Sequence, residues 1–222
     1  MPTPKAGYKI AGEKIPGTTT IIGRFKESGA LVGWAYKTGR KHANDASKGL
    51  PDPGSLYAVT DDAANIGTIV HGLVDDDIHG RPYSLDNQDP RVLSAFEAYT
   101  KWKNQSGALI VATEMPLIST THRFGGTPDA IASIEGQLCL LDWKTSNSIY
   151  TDHLVQLAAY RALWNENNSQ QPLTGGSHLL RFSKEGGDFT HHYFADLSDA
   201  WEQFLLFRRA YDIDKELVKR VR

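Results

Sequence analysis

The chain reads as an α/β protein with a central mixed β-sheet of about five strands flanked by helices, preceded by a helical N-terminal half. Three features point there. Apolar residues recur at helical spacing through most of the first 107 residues. From residue 109 onward, short β-rich apolar runs are bounded by turn signals. One helical segment, 152–165, stands between two groups of those runs. With 222 residues and 40% hydrophobic content the chain can bury a substantial core, so one compact domain is expected. Within it, 1–107 is the helical part and 108–222 the sheet-bearing core.

Residues 8–18 read as a short hairpin or irregular arm that turns at Pro16-Gly17. Thr18, Thr19 and Thr20 then offer caps to a short helix running to Phe25. A second helix, 28–42, carries Leu31, Trp34 and Ala35 at core-facing spacing and is basic at Lys37, Arg40 and Lys41. The stretch 44–57, rich in Asp, Ser, Pro and Gly, is expected to be a loop. Residues 60–78 form a helix with Thr60 as N-cap and acids in the first turn. It carries Gly67 and His71 and ends in the run Asp75, Asp76 and Asp77, which reads as a solvated helix end. A further helix, 90–104, offers Leu93, Phe96, Ala98 and Tyr99 to the core, with Trp102 near its end.

The run 109–117 reads as a strand with Glu114 among apolar neighbours, where a lone carboxylate needs a partner. Two strands follow, 131–134 and 138–144, joined by a tight Glu135-Gly136 turn. Thr145 and Ser146 are candidate helix caps or phosphate contacts. In 152–165 the apolar residues fall at 154, 157, 158 and 163, and Gln156 and Tyr160, four apart, share a face. The strands 176–182 and 189–195 close around Gly186-Gly187. His191 and His192, adjacent on a strand, point opposite ways and suit no metal. The last helix, 198–221, opens with Ser198 or Asp196 as cap, turns Trp201, Phe204, Leu205 and Leu217 inward and ends in a cationic cluster.

Chemistry concentrates between residues 125 and 160. Strand alternation puts Asp142 and Lys144 on one side and Trp143 on the other, and a hairpin register brings Asp129 alongside them. Two carboxylates supply the hard oxygen ligands that Mg2+ or Mn2+ prefers, and an ammonium beside them stabilises charge on a phosphate. A surface Asp-Lys pair would explain Asp142 and Lys144 equally well, and Thr-Pro-Asp is also ordinary turn chemistry.

The ordered set G-x-x-D at 126–129, L-D-W-K-T-S at 141–146 and Q-L-A-A-Y at 156–160 resembles the PD-(D/E)XK nuclease superfamily, in its RecB-type branch. L-C-x-x-D-W-K-T-S at 138–146 is most similar to the mitochondrial genome maintenance exonucleases and their phage-encoded relatives. P-G-T-T-T-I-I-G at 16–23, G-A-L-V-G-W-A-Y at 29–36 and G-x-x-x-H at 67–71 extend the resemblance upstream. It implies a restriction-endonuclease-like core and a Mg2+- or Mn2+-dependent DNA exonuclease, preferring single strands with a free end. It implies that His71, Asp129, Asp142 and the backbone carbonyl of Trp143 hold the metal, and that Lys144 serves the water or the transition state. Gln156 and Tyr160 would position them, Glu114 would support the centre, and the N-terminal helices would guide the strand, a role a plain capping subdomain would lack. A helix histidine such as His71 is otherwise an ordinary structural residue.

Net charge is −2, short of the overall basicity of a tight nonspecific DNA binder. Clusters near the front, including Lys37, Arg40 and Lys41, and at the back, including Arg208 and Arg222, fit either solvated helix faces or a phosphate track. One cysteine, Cys139, permits neither an internal disulfide nor a four-cysteine iron–sulfur cluster. The chain has no phosphate-loop motif, so a helicase, recombinase or single-strand-binding partner would be a separate protein. No run approaches the ~20 apolar residues of a membrane span and no signal peptide is apparent, so a cytoplasmic setting in a bacterial or phage-infected cell is expected. A structure-specific endonuclease, or a nucleic-acid-binding protein without catalysis, are the competing readings.

Overall fold

The computed structural model describes residue 4 and residues 7–26, 29–50 and 56–221, and not the side chains of 29–32 and 56–60. The expectations placed on Ser28, Leu31, the Thr60 side chain and Arg222 lie outside the described residues.

Five strands form the central sheet in the order β3 (Leu109–Thr113), β6 (Ala130–Ile134), β7 (Gln137–Lys144), β8 (Ser177–Phe182) and β9 (Phe189–Phe194). Only the β7–β8 pair is parallel. Parallel neighbours need a long crossover, and helix α5 (Thr151–Asn167) supplies it. The β6–β7 hairpin closes on Glu135 and Gly136, both with positive φ (51° and 80°), the backbone of a two-residue turn that matches strand twist.

Both faces of the sheet are covered, so its middle strands are apolar on both sides. On one face Ile131, Leu140 and Leu179 pack with α5, with α1 (Thr18–Phe25) and with α6 (Ser198–Arg220). On the other, Ala130, Ala132, Leu141, Trp143, Leu180 and Phe182 pack with α3 (Leu56–Ile78) and α4 (Pro90–Ser106). Each fully buried Leu, Ile or Phe contributes roughly 1.5–3 kcal/mol. Helix α4 begins with Asp89 accepting the Arg91 amide and Pro90 in the first turn, and ends at Gly107 with φ 62°. Outside the sheet lie the hairpin β1 (Tyr8–Ile10) and β2 (Glu13–Ile15), the pair β4 (Leu117–Ser119) and β5 (Phe124–Gly126), and the exposed helix α2 (Gly29–Ala46). No described helix is long and apolar enough to cross a membrane.

Several expected boundaries move. The N-terminal hairpin turns at Ala11-Gly12, and Pro16-Gly17 instead leads into α1, where Gly17 bridges to Gly125. Thr18 is no cap; inside the helix, its hydroxyl donates to the Gly125 carbonyl at 3.0 Å. Helix α2 runs on to Ala46, into the expected loop, and α3 begins at Leu56, a turn before Thr60. The strand expected over 109–117 breaks at Glu114, whose φ of 45° no strand accommodates. Thr145 and Ser146 precede α5 by several residues, and Tyr150 is its N-cap. Trp34, Leu93 and Leu217, expected to face inward, are exposed. Arg208, counted in the terminal basic cluster, is buried; it donates to the His122 and Arg123 carbonyls and pairs with Asp212. Asp75 and Asp77 are not merely solvated, since Arg81 and Thr113 hold the first and Tyr99 and Lys103 the second.

Candidate active site

The β6–β7 register assembles the acids. One step beyond the Ala130–Leu141 pair, Asp129 and Asp142 stand across from each other, 0% and 1% exposed. The pleat turns Asp142 to the face of Leu140, toward α5, together with Lys144, which ion-pairs with it. Trp143 points the other way into the α3–α4 layer, and its amide donates to Asp129 Oδ2 at 2.9 Å. That bond locks the orientation of the Asp129 carboxylate, leaving Oδ1 directed elsewhere.

Helix α3 brings His71 from the opposite layer, its Nδ1 3.6 Å from Asp129 Oδ1. Gly67, one turn earlier on the same helix face, lies close to the end of β7: a Cβ there would sit 3.2 Å from Thr145 Oγ1, a tight contact that Thr145 would have to relieve. From the other side, α5 contributes Gln156, whose Nε2 donates to the Tyr160 hydroxyl at 2.8 Å, both residues being buried. Tyr160 packs against Gly126, where any Cβ would lie 2.7 Å from its ring. The glycine of G-x-x-D therefore answers a packing need.

Burial and charge set the protonation states. Burial, reinforced by the Lys144 charge, pushes His71 down to about 3, so its imidazole is neutral. Burial pushes Asp142 up to about 6, against the pull of Lys144, and raises Asp129 as well. Burial alone would lower Lys144, but Asp142 and Asp129 more than offset it and raise it. Burial, together with the two carboxylates, holds the Tyr160 phenol well above its usual range.

His71 Nδ1, Asp129 Oδ1 and Asp142 Oδ1 are buried with no hydrogen-bond partner among the described residues. A separation of 3.6 Å is too long for a hydrogen bond, so the neutral imidazole does not satisfy Asp129. Unpartnered buried acceptors are costly, and a divalent cation is the ligand that this donor chemistry suits. The described residues contain no ready-made cluster of three or more His, Cys, Asp or Glu ligands. The protein's own cation, Lys144, occupies Asp142 instead.

Other expected site residues lie further out. Glu114 is half-buried; its amide donates to the Asp129 carbonyl, and burial with nearby Asp75 pushes its carboxyl up. Ser146 donates to the Ser148 carbonyl at 2.7 Å. Lys37, Arg40 and Lys41 are exposed on α2, where Arg40 lies over the Tyr36 ring and Lys41 pairs loosely with Asp45. No contact between the described residues joins them to the acids. His191, for which no metal role was expected, meets His178 at 2.8 Å on the far side of the sheet.

Tyr8 was missed from the sequence. Its hydroxyl bonds Thr127 Oγ1 at 2.8 Å and its ring lies where a Gly125 Cβ would be, bracing the loop that carries Asp129. Nothing in the N-terminal arm signals this, because the contact spans more than a hundred residues.

No curated protein matches the chain. Among solved structures it is similar to SSO0001, with a TM-score of 0.35 and 16% identity over 53% of this chain and 55% of that one. It is also similar to a candidate exonuclease from Eubacterium rectale, with a TM-score of 0.44 and 12% identity over 64% of each chain. The matches thus span less than two thirds of both proteins. The model of the PD-(D/E)XK nuclease superfamily matches residues 41–210, which include His71, both aspartates, Lys144, Gln156 and Tyr160, and the chain belongs to that superfamily.

Proposed function

We propose that the protein is a Mg2+- or Mn2+-dependent deoxyribonuclease that removes nucleotides from a free end of single-stranded DNA. The observation that carries the metal-dependent part is that His71, Asp129 and Asp142 each present a buried donor atom with no hydrogen-bond partner among the described residues, and that the largely buried Lys144 pairs with Asp142. The preference for free single-stranded ends rests on the resemblance of 16–36 and 138–146 to exonucleases of that kind.

His71 Nδ1, Asp129 Oδ1 and Asp142 would hold the metal, with the Trp143 carbonyl beside them. When bound, the ion supplies Lewis-acid activation of water and neutralises phosphate charge. The chain's own residues do the rest. Lys144 holds an ammonium where negative charge builds on phosphorus during attack, and keeps the attacking water in line. The Trp143 amide fixes Asp129 so that one oxygen stays free. Gln156 and Tyr160 buttress Asp142 and Lys144 from α5, and Glu114 supports the strand end near Asp129. Thr145 and Ser146 line the approach to Lys144, and Lys37, Arg40 and Lys41 attract the phosphate backbone at a distance. On this reading residues 1–107 lend one ligand and the basic helix to the 108–222 core.

Incubation with end-labelled linear and circular single-stranded DNA, in Mg2+, Mn2+ or EDTA, tests the proposal. Loss of terminal nucleotides from linear strands only, abolished by EDTA, is expected. Asp142→Asn and Lys144→Ala should each lower turnover at least about a hundredfold while binding changes little. Cutting of circles would replace the exonuclease reading with an endonuclease one, and binding without cutting would leave a nucleic-acid-binding protein.

A further inference from the structure

Tyr150 differs from the other large aromatics of its helix. Tyr160 and Trp164 are buried in the core, whereas Tyr150, at the N-terminus of α5, is 49% exposed. It nevertheless has neighbours that orient it. Its amide donates to His153 Nδ1 at 3.3 Å, and the two rings meet edge to face with centroids 5.4 Å apart. Lys26 Nζ lies 5.7 Å from the Tyr150 centroid and is itself fixed by Asp152 at 2.7 Å. The ring is therefore contacted on two sides while about half of it faces solvent.

Its position is equally specific. The loop 145–150 runs from Lys144 to Tyr150, and α5 then carries Gln156 and Tyr160 to the acids. His153 lies close enough to feel the charges of Lys144 and Asp142. An ordered aromatic face at the end of the loop that leaves Lys144 suits a nucleobase beside the proposed site of phosphodiester cleavage, because every base has a π-face to stack on it. Only an unpaired base, or the last base of a strand, has that face free.

We propose that Tyr150 is a stacking platform for an unpaired nucleobase adjoining the scissile phosphate, with Lys26 and His153 fixing the ring. The proposal rests on the nuclease reading above and adds to it a physical source of preference for single strands.

Fluorescence anisotropy with a labelled oligodeoxythymidine, in EDTA to prevent cutting, tests it. Tyr150→Ala should weaken single-strand binding by about tenfold and Tyr150→Phe by less than about twofold. Binding to closed circular duplex, which has neither unpaired bases nor strand ends, should be unchanged in both. In a set of strands with one abasic position each, one position should cost the wild type as much as Tyr150→Ala does, and cost that variant nothing more. The abasic set needs no variant to fold, so it stands even if Tyr150→Ala does not. Wild-type affinity in Tyr150→Ala, equal losses in Tyr150→Ala and Tyr150→Phe, insensitivity of the wild type to every abasic position, or an equal loss on closed circular duplex would overturn the platform. If those results come from a protein that cuts DNA, the nuclease reading survives them. A wild-type protein that neither binds nor cuts single strands removes both.

Discussion

Asp129 and Asp142 oppose each other out of water, an arrangement whose desolvation and repulsion only nearby positive charge offsets. Lys144 meets part of that need through Asp142, and the Trp143 amide meets part through one oxygen of Asp129. Asp129 Oδ1 and His71 Nδ1 have no partner among the described residues. A cation that binds this folded arrangement and not the unfolded chain must raise stability. At a hundredfold excess over Kd the gain is about 2.7 kcal/mol, or roughly 5–10 °C in Tm for a chain of this size. Differential scanning fluorimetry should show such a rise for the wild type in Mn2+, a smaller one in His71→Ala and none in Asp142→Asn. No rise in the wild type would mean that these donors do not hold a metal. The readout is independent of cleavage, so it separates the ligand set from the reaction.

At the level of elements, the site depends on how closely backbones approach. Gly125 and Gly126 sit on β5, between the N-terminal hairpin on one side and α5 on the other. A Cβ on Gly125 would fall 2.2 Å from the Tyr8 ring, and the buried Tyr8–Thr127 bond just beyond it ties the hairpin to the loop bearing Asp129. Gly125→Ala must therefore displace the hairpin, a kind of overpacking that costs about 1–3 kcal/mol. We expect Tm to fall by roughly 2–12 °C, with kcat falling more than KM rises, because the loop carrying Asp129 moves while the exposed binding surface does not. A variant with wild-type Tm and kcat would show that the hairpin is not anchored there. The neighbouring strands β6 and β7 were legible because period-two alternation and a Glu-Gly turn are local signals, whereas the three-residue strands β4 and β5 are too short to show a period. Glu114 was not legible either, since its left-handed backbone is imposed by the step from β3 to β4 and no neighbouring residue announces it.

At the scale of the molecule, the helices of the N-terminal half are structural partners of the sheet. Leu141, Trp143, Leu180 and Phe182 share a core with Val70, Phe96, Tyr99 and Trp102 of α3 and α4. Removing residues 1–107 would expose that entire face. The fragment 108–222 is expected to show no cooperative urea transition, while the intact chain unfolds in one step seen alike by far-UV circular dichroism and tryptophan fluorescence. A fragment that melts cooperatively would mean that the core folds without its helical cover.

The split between what was readable and what was not follows the range of the forces involved. Local pattern determined the order of most helices and strands, the hairpin that pairs Asp129 with Asp142, and the pairing of Gln156 with Tyr160 on one helix face, because alternation, helical period and turn chemistry act over a few residues. The ordered motifs also carried the superfamily, and with it the expectation for His71. Only the tertiary structure decided that Gly67 of α3 lies against Thr145 at the end of β7, that Tyr8 braces the Asp129 loop, that Arg208 is buried and that Tyr150 is exposed. Those outcomes depend on which surfaces meet across dozens of residues, and burial and close packing are properties of the assembled layers.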